Sequence, residues 1–232
     1  MKIFAHISWF FATIIIFISL TFMIIIFKFV PRPYSRKISS WLIRLSIFFS
    51  SDIKGKEDPN AQMFLLNHES DLDIALMETI TSRDLAWVAK KELFDIPFFG
   101  WALKLPKDIA VERESKTSLV KLLRDAKFVL DDNRVITMFP EGTRSTKGKM
   151  LPFKSGAKIV ADKYKLIVQP VVMIETSSCY NLKKFYYKPK KIKVIFLESF
   201  IADKENNNWL KELREKMQKV YDSELSNNNS NR

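Results

Sequence analysis

Residues 7–27 carry no charged side chain and are dominated by Ile and Phe. As a helix they would extend about 32 Å, close to the thickness of a bilayer core, so whatever else the chain builds must sit beside a lipid-seeking segment. Lys28, Pro31, Arg32 and Pro33 follow the run where a cleaved leader would place small residues, and the segment therefore reads as a retained membrane element. Lys2 stands before it, whereas Lys28, Arg32, Arg36 and Lys37 stand after it; this bias puts the body of the chain on the cytoplasmic side of a cell membrane. Downstream, Ile38, Trp41 and Leu42 recur at helical spacing with Arg36, Lys37 and Arg44 elsewhere on the wheel. Such a helix either lies in the lipid interface or packs on the folded body. Residues 1–50 thus form a membrane-attachment unit, residues 51–226 the folded body, and the Asn-rich residues 227–232 a disordered tail. The polar, turn-rich stretch 52–60 marks the boundary after the anchor.

The rest of the chain alternates short apolar runs with amphipathic ones, which predicts a single α/β domain. Residues 62–66, 85–89, 109–111 and 135–139 read as strands, and residues 72–80 and 118–130 as helices. The run 166–174 is strand-like but holds Pro170, which predicts an edge position or a break between two strands. Across 232 residues there are 38 Lys and Arg against 26 Asp and Glu, a formal net charge of +12, so an anionic partner is expected. One cysteine, Cys179, excludes an internal disulfide and suits a reducing compartment. The mixture of aromatics and cations in residues 185–191 suits nucleobases or lipid head groups, and the apolar segment favours lipid over nucleic acid. No Walker loop, dinucleotide fingerprint or Cys/His metal motif is present, and nothing in the sequence suggests a bound cofactor.

Two loops carry chemistry. Asn67-His68-Glu69-Ser70-Asp71-Leu72-Asp73 contains the one histidine outside the N-terminal segment, with an aspartate five positions on. If His68 lies on a strand-to-helix loop and Asp73 in the first helical turn, the carboxylate can fold back to fix the imidazole tautomer for proton abstraction. Ser70-x-x-Asp73 is equally a capping box, with Asp73 serving a backbone donor. The second loop, Phe139-Pro140-Glu141-Gly142-Thr143-Arg144-Ser145, follows a buried strand. It offers a permissive glycine, two hydroxyls and a guanidinium fork suited to phosphate. A basic surface turn would have the same composition.

Taken together, Asn67-His68-x-Ser70-x-x-Asp73 and Phe139-Pro140-Glu141-Gly142-Thr143-Arg144-Ser145, about seventy residues apart, resemble the glycerolipid acyltransferase family. Lys90-Lys91-Glu92-Leu93 and Pro97-Phe98-Phe99-Gly100-Trp101 belong to the same resemblance, as do Arg113 after a short apolar stretch and Pro170 within one. The acidic Glu69 and Asp71, and Glu112 beside Arg113, depart from the commoner pattern. The resemblance implies a mixed sheet surrounded by helices, with an N-terminal helical membrane anchor. It also implies acyl transfer, without a metal, from acyl carrier protein or acyl-coenzyme A to lysophosphatidic acid, forming phosphatidic acid. His68 and Asp73 would be catalytic, and Gly142, Thr143 and Arg144, with Glu141 ordering the loop, would form the acceptor-phosphate site, with Lys90 and Arg113 as further cations. Glycerol 3-phosphate or another lysolipid is the alternative acceptor. A non-catalytic, membrane-tethered anion-binding module is the reading from a different class.

Overall fold

A computed structural model describes residues 2–27, 29–46, 50–112, 116–145, 148–181 and 184–230. In chain order these form α1 (Lys2–Ile26), α2 (Arg32–Ser46), β1 (Ser50–Lys54), β2 (Met63–Leu66), α3 (Leu72–Ile80), β3 (Leu85–Lys90), α4 (Lys91–Phe94), α5 (Trp101–Lys104) and β4 (Ile109–Val111). Then come α6 (Lys116–Asp131), β5 (Val135–Met138), α7 (Ser155–Tyr164), β6 (Ile167–Ile174), α8 (Thr176–Cys179), β7 (Tyr180–Asn181), β8 (Tyr186–Tyr187), β9 (Lys191–Phe196), β10 (Phe200–Ile201) and α9 (Trp209–Ser230).

The main sheet has the order β1-β9-β6-β2-β5-β3-β4. From β6 to β4 the neighbours are parallel, β9 runs antiparallel to β6, and β1 pairs parallel with β9. Helices cover both faces, which is why β2 is buried at every position rather than at alternate ones. Met63 and Leu65 join Ala126 of α6, Val160 of α7 and Met217 of α9 on one side, while Phe64 and Leu66 join Leu72 and Leu76 of α3 and Ala12 of α1 on the other. The architecture is the mixed sheet with surrounding helices that the sequence predicts.

Four local features differ from the sequence reading or settle a choice it left open. β1 occupies part of the stretch expected to be a polar linker; it is held by backbone pairing with β9 at the sheet edge, where polar residues are tolerated. Pro170 lies inside a continuous β6, between β2 and the opposite neighbours, and is neither at the sheet edge nor at a break in its own strand. The break is in those neighbours: β10 pairs with Val168 and Ile167, β9 with residues from Val171 onward, and the Pro170 carbonyl accepts Leu197 N at the changeover. The missing N–H therefore faces the gap. The expected disordered tail is helical through Ser230, because α9 is already anchored by Trp209, Leu213, Met217 and Tyr221 and each further residue extends the helix without a new nucleus; residues 231–232 lie outside the described residues.

The fourth is α2, which packs on the body with its charges inward. Arg36 is only 6% exposed and bonds Glu78 and Asp108, Lys37 Nζ donates to Thr81 O, and Arg32 pairs with Asp84 and Asp132. Tyr34, Ile38 and Trp41 face outward, Trp41 with 57% of its surface exposed. Beside it α1, the one described helix long and apolar enough to cross a membrane, buries Ala12, Met23 and Ile24 against the body. Its Thr13 hydroxyl meets Tyr180 Oη at 3.0 Å. Phe10, Phe11, Ile18 and Ile25 of α1 point away from the protein. The two N-terminal helices together present an apolar surface to the outside.

Candidate active site

The C-terminal ends of β2, β5, β3 and β6 open on the same edge of the sheet, the edge at which parallel α/β sheets form their crevices. At the end of β2 the Asn67 side chain mimics a strand residue: Nδ2 donates to Met173 O and Oδ1 accepts Met173 N, both at 2.8 Å. That clamp to β6 sets the direction in which His68 leaves the sheet. β5 pairs with β2 in register, Leu65 opposite Met138, so the loop after β5 arrives beside His68.

The two loops then fasten to each other through the His68 backbone. His68 N donates to Glu141 Oε1 at 2.9 Å, and His68 O accepts Ser145 N at 2.8 Å and Ser145 Oγ at 3.1 Å. Glu141 Oε2 takes Leu151 N at 2.6 Å, so both carboxylate oxygens are spent on backbone donors and the residue is 1% exposed. Burial raises its carboxyl above the ordinary range, against the hydrogen bonds from Leu151 and His68. Glu141 therefore orders the loop and does not present a free carboxylate to a ligand. Ser145, expected to offer a hydroxyl to phosphate, is likewise buried and committed to His68 O.

On the side-chain side, His68 Nδ1 lies 2.8 Å from Asp73 Oδ2. The same oxygen accepts Glu69 N at 2.8 Å and Ser70 N at 2.9 Å, and Asp73 is completely buried. One carboxylate oxygen thus meets both the imidazole and two backbone donors, because the first turn of α3 folds back under the loop; the reciprocal half of a capping box is absent, Ser70 Oγ accepting Leu72 N at 3.3 Å instead of Asp73 N. Nδ1 being engaged, Nε2 is the nitrogen left for proton exchange. The imidazole stacks on Phe139, with ring centroids 3.8 Å apart and planes 13° apart, and Phe139 stacks in turn on Trp87.

Gly142 sits at φ +67°, a conformation that favours glycine, with its N–H donating to Phe139 O. This turn carries Thr143 and Arg144 out to the surface, where Arg144 Nη2 pairs with Asp71 Oδ1 at 2.8 Å. Lys90 ends β3, the strand next to β5, and is half-buried; Arg113 lies outside the described residues. The structure thus gathers His68, Asp73 and Glu141 into one hydrogen-bonded group, with Gly142, Thr143 and Arg144 on the adjoining turn. Sequence reasoning gave no role to Asn67, Phe139 or Trp87, whose contacts depend on strand pairing and have no local signature. It noted Glu69 only as a departure. That side chain is buried beside Tyr221 of α9, and its carboxyl is pushed up to about 7 by burial.

Residues 52–174, which include both loops, match a family model described as Acyltransferase. The chain is 43% identical over 168 residues to 1-acyl-sn-glycerol-3-phosphate acyltransferase of Helicobacter pylori, an alignment covering 72% of this chain and 71% of that protein. It is 27% identical over 187 residues to the enzyme of the same name from Cocos nucifera, covering 75% of this chain and 59% of that one. Among solved structures, the 1-acyl-sn-glycerophosphate acyltransferase PlsC from Thermotoga maritima shares the fold, with a TM-score of 0.74 over 97% of this chain and 96% of that chain at 22% identity. With more than half of its length matched by the family model, and both loops inside that match, the chain belongs to the acyltransferase family.

Proposed function

We propose that the protein transfers an acyl group from a thioester to the 2-hydroxyl of lysophosphatidic acid, forming phosphatidic acid, and that His68 is the general base. The observation that carries this reading is the His68–Asp73 pair at 2.8 Å, with both backbone polar groups of His68 held by the loop that leads to Arg144. In the proposed step His68 Nε2 takes the hydroxyl proton as the acceptor oxygen attacks the thioester carbonyl. The imidazolium, stabilised by Asp73, then returns that proton to the departing thiolate. No enzyme nucleophile is required, since the acceptor attacks directly.

Arg144, Thr143 and the Gly142 backbone are the proposed acceptor-phosphate site, Arg144 exchanging Asp71 for phosphate as the lipid binds. Lys90 and Arg113 supply further positive charge nearby, and Glu141 acts by holding the loop. Acyl carrier protein and acyl-coenzyme A are the proposed donors. The outward apolar surfaces of α1 and α2 support attachment to a membrane, and the flanking cations support a cytoplasmic placement of the body.

The test is formation of phosphatidic acid by wild type and His68→Ala in lipid vesicles supplied with lysophosphatidic acid and either donor. Product from wild type alone supports the reading. Equal product from both removes His68 as the base, and product only with a different lysolipid or with glycerol 3-phosphate replaces the acceptor.

A further inference from the structure

Arg36 lies on α2, remote in sequence from both loops, yet its two carboxylate partners are the groups that fix Trp87; its Nη1 also donates to Leu85 O at 3.2 Å. Nη1 donates to Glu78 Oε1 at 3.2 Å, and that same oxygen accepts Trp87 Nε1 at 2.8 Å. Nη2 donates to Asp108 Oδ2 at 2.6 Å, while Asp108 Oδ1 accepts Trp87 N at 3.0 Å. One guanidinium fork therefore reaches both carboxylates that hold the indole and the backbone of Trp87, with Arg134 Nη2 a further 3.7 Å contact to Asp108 Oδ1. All of these groups are buried, so none of their bonds is readily exchanged for water. The indole stacks on Phe139 at 5.3 Å and 25°, and Phe139 on the imidazole at 3.8 Å and 13°. Three nearly parallel rings run from the Arg36 cluster to His68. Asp73 holds one edge of the imidazole through Nδ1 and Phe139 covers its face, so the hydrogen bond and the stack together hold the ring plane.

We infer that Arg36 is a positioning residue for the reaction: from the membrane-attachment helix it fixes Trp87, and through the Trp87–Phe139 stack it sets the plane in which His68 meets the acceptor hydroxyl. The inference rests on the proposal that His68 is the base. Arg36→Lys keeps the charge but loses the planar fork that spans two carboxylates. Arg32→Lys is the control, since Arg32 ties the same helix to Asp84 and Asp132 without touching Trp87.

The experiment combines kinetics with NMR of the imidazole protons, which is tractable because His6 is the only other histidine and a His6→Gln variant assigns the signals. Arg36→Lys is expected to lower kcat about tenfold, with KM for the acceptor within about twofold, because a mispointed base costs turnover more than binding. The His68 ring signals, displaced by the ring current of Phe139, should move in Arg36→Lys and stay in place in Arg32→Lys. In a double-mutant cycle, Arg36→Lys added to Phe139→Leu should cost nothing more, since the stack is already gone. Unchanged His68 signals, or losses that multiply in the double variant, overturn the inference. If Arg36→Lys does not fold, Trp87→Phe, which removes the indole donor to Glu78 and leaves a smaller ring on Phe139, must move the same ring signals. If His68→Ala retains activity while Arg36→Lys moves the ring, the base assignment falls and control of the ring plane stands.

Discussion

Replacing Asp73 by Asn tests the dyad with the least change in shape. Asp73 Oδ2 accepts three donors, His68 Nδ1, Glu69 N and Ser70 N, and Oδ1 has no hydrogen-bond partner among the described residues. An asparagine can keep all three bonds only by placing its NH2 where Oδ1 stands, which leaves buried donors unmet and costs about 1–3 kcal/mol of stability. Catalysis loses more. An imidazolium and a carboxylate with charge centres about 4 Å apart attract by roughly 4 kcal/mol at an effective dielectric constant near 20. Removing that attraction would slow turnover by about three decades if it acted in full. His68 is 13% exposed, so solvent screens part of it, and kcat should fall by about a hundredfold to a thousandfold. KM for the acceptor should barely change, because Asp73 touches His68 and none of the proposed phosphate-binding residues. The assay is the initial rate of phosphatidic acid formation at saturating donor near neutral pH, with the folded fraction taken from a melting curve. A fall in kcat of less than about tenfold, or one fully matched by loss of folded protein, would refute the electrostatic role of Asp73.

Glu69 links the site to pH. Its carboxyl is raised from 4.5 to about 7 by burial, with Asp73 and Glu141 adding repulsion, so the folded state holds a proton that the unfolded state releases. The resulting stability is fully present below pH 4.5 and lost as pH rises through about 7, at most about 3 kcal/mol in all. Glu69→Gln should therefore unfold like wild type below pH 4.5 and at higher denaturant than wild type above pH 7; parallel profiles across that window would exclude the assignment. Arg144→Gln removes the proposed charge-assisted phosphate contact and should raise KM for lysophosphatidic acid about tenfold with little change in kcat. An unchanged KM in vesicle assays would place the phosphate elsewhere.

What the sequence reveals of this site follows the chemistry of neighbours in the chain. His68 and Asp73 are legible because the apolar pattern of β2 ends at Asn67 and that of α3 begins at Leu72, which forces a loop between them. The Gly142 turn is legible for the same reason. The partner of Glu141 is not, since the His68 N–H it accepts is 73 positions away and is delivered by the β2–β5 register. The helical wheel of α2 shows which residues share a face. It does not show which face meets protein, and the charged face turned inward because Glu78, Asp84 and Asp108 await it there. β1 and the last turns of α9 were missed because their order comes from what they adjoin and not from their own residues. Pro170 was misplaced because the gap that admits it lies in the strands beside it.

The peptide unit of His68 joins two loops, and this has a consequence for how the protein matures. A slip of one residue between β2 and β5 would carry Glu141 and Ser145 about 3.3 Å along the sheet, beyond hydrogen-bonding reach of His68 N and O. A mispaired sheet could still be compact, but it would lack a positioned His68, the proposed base. Turnover therefore reports correct strand registration, and a misthreaded copy reaching the membrane would be inert rather than promiscuous.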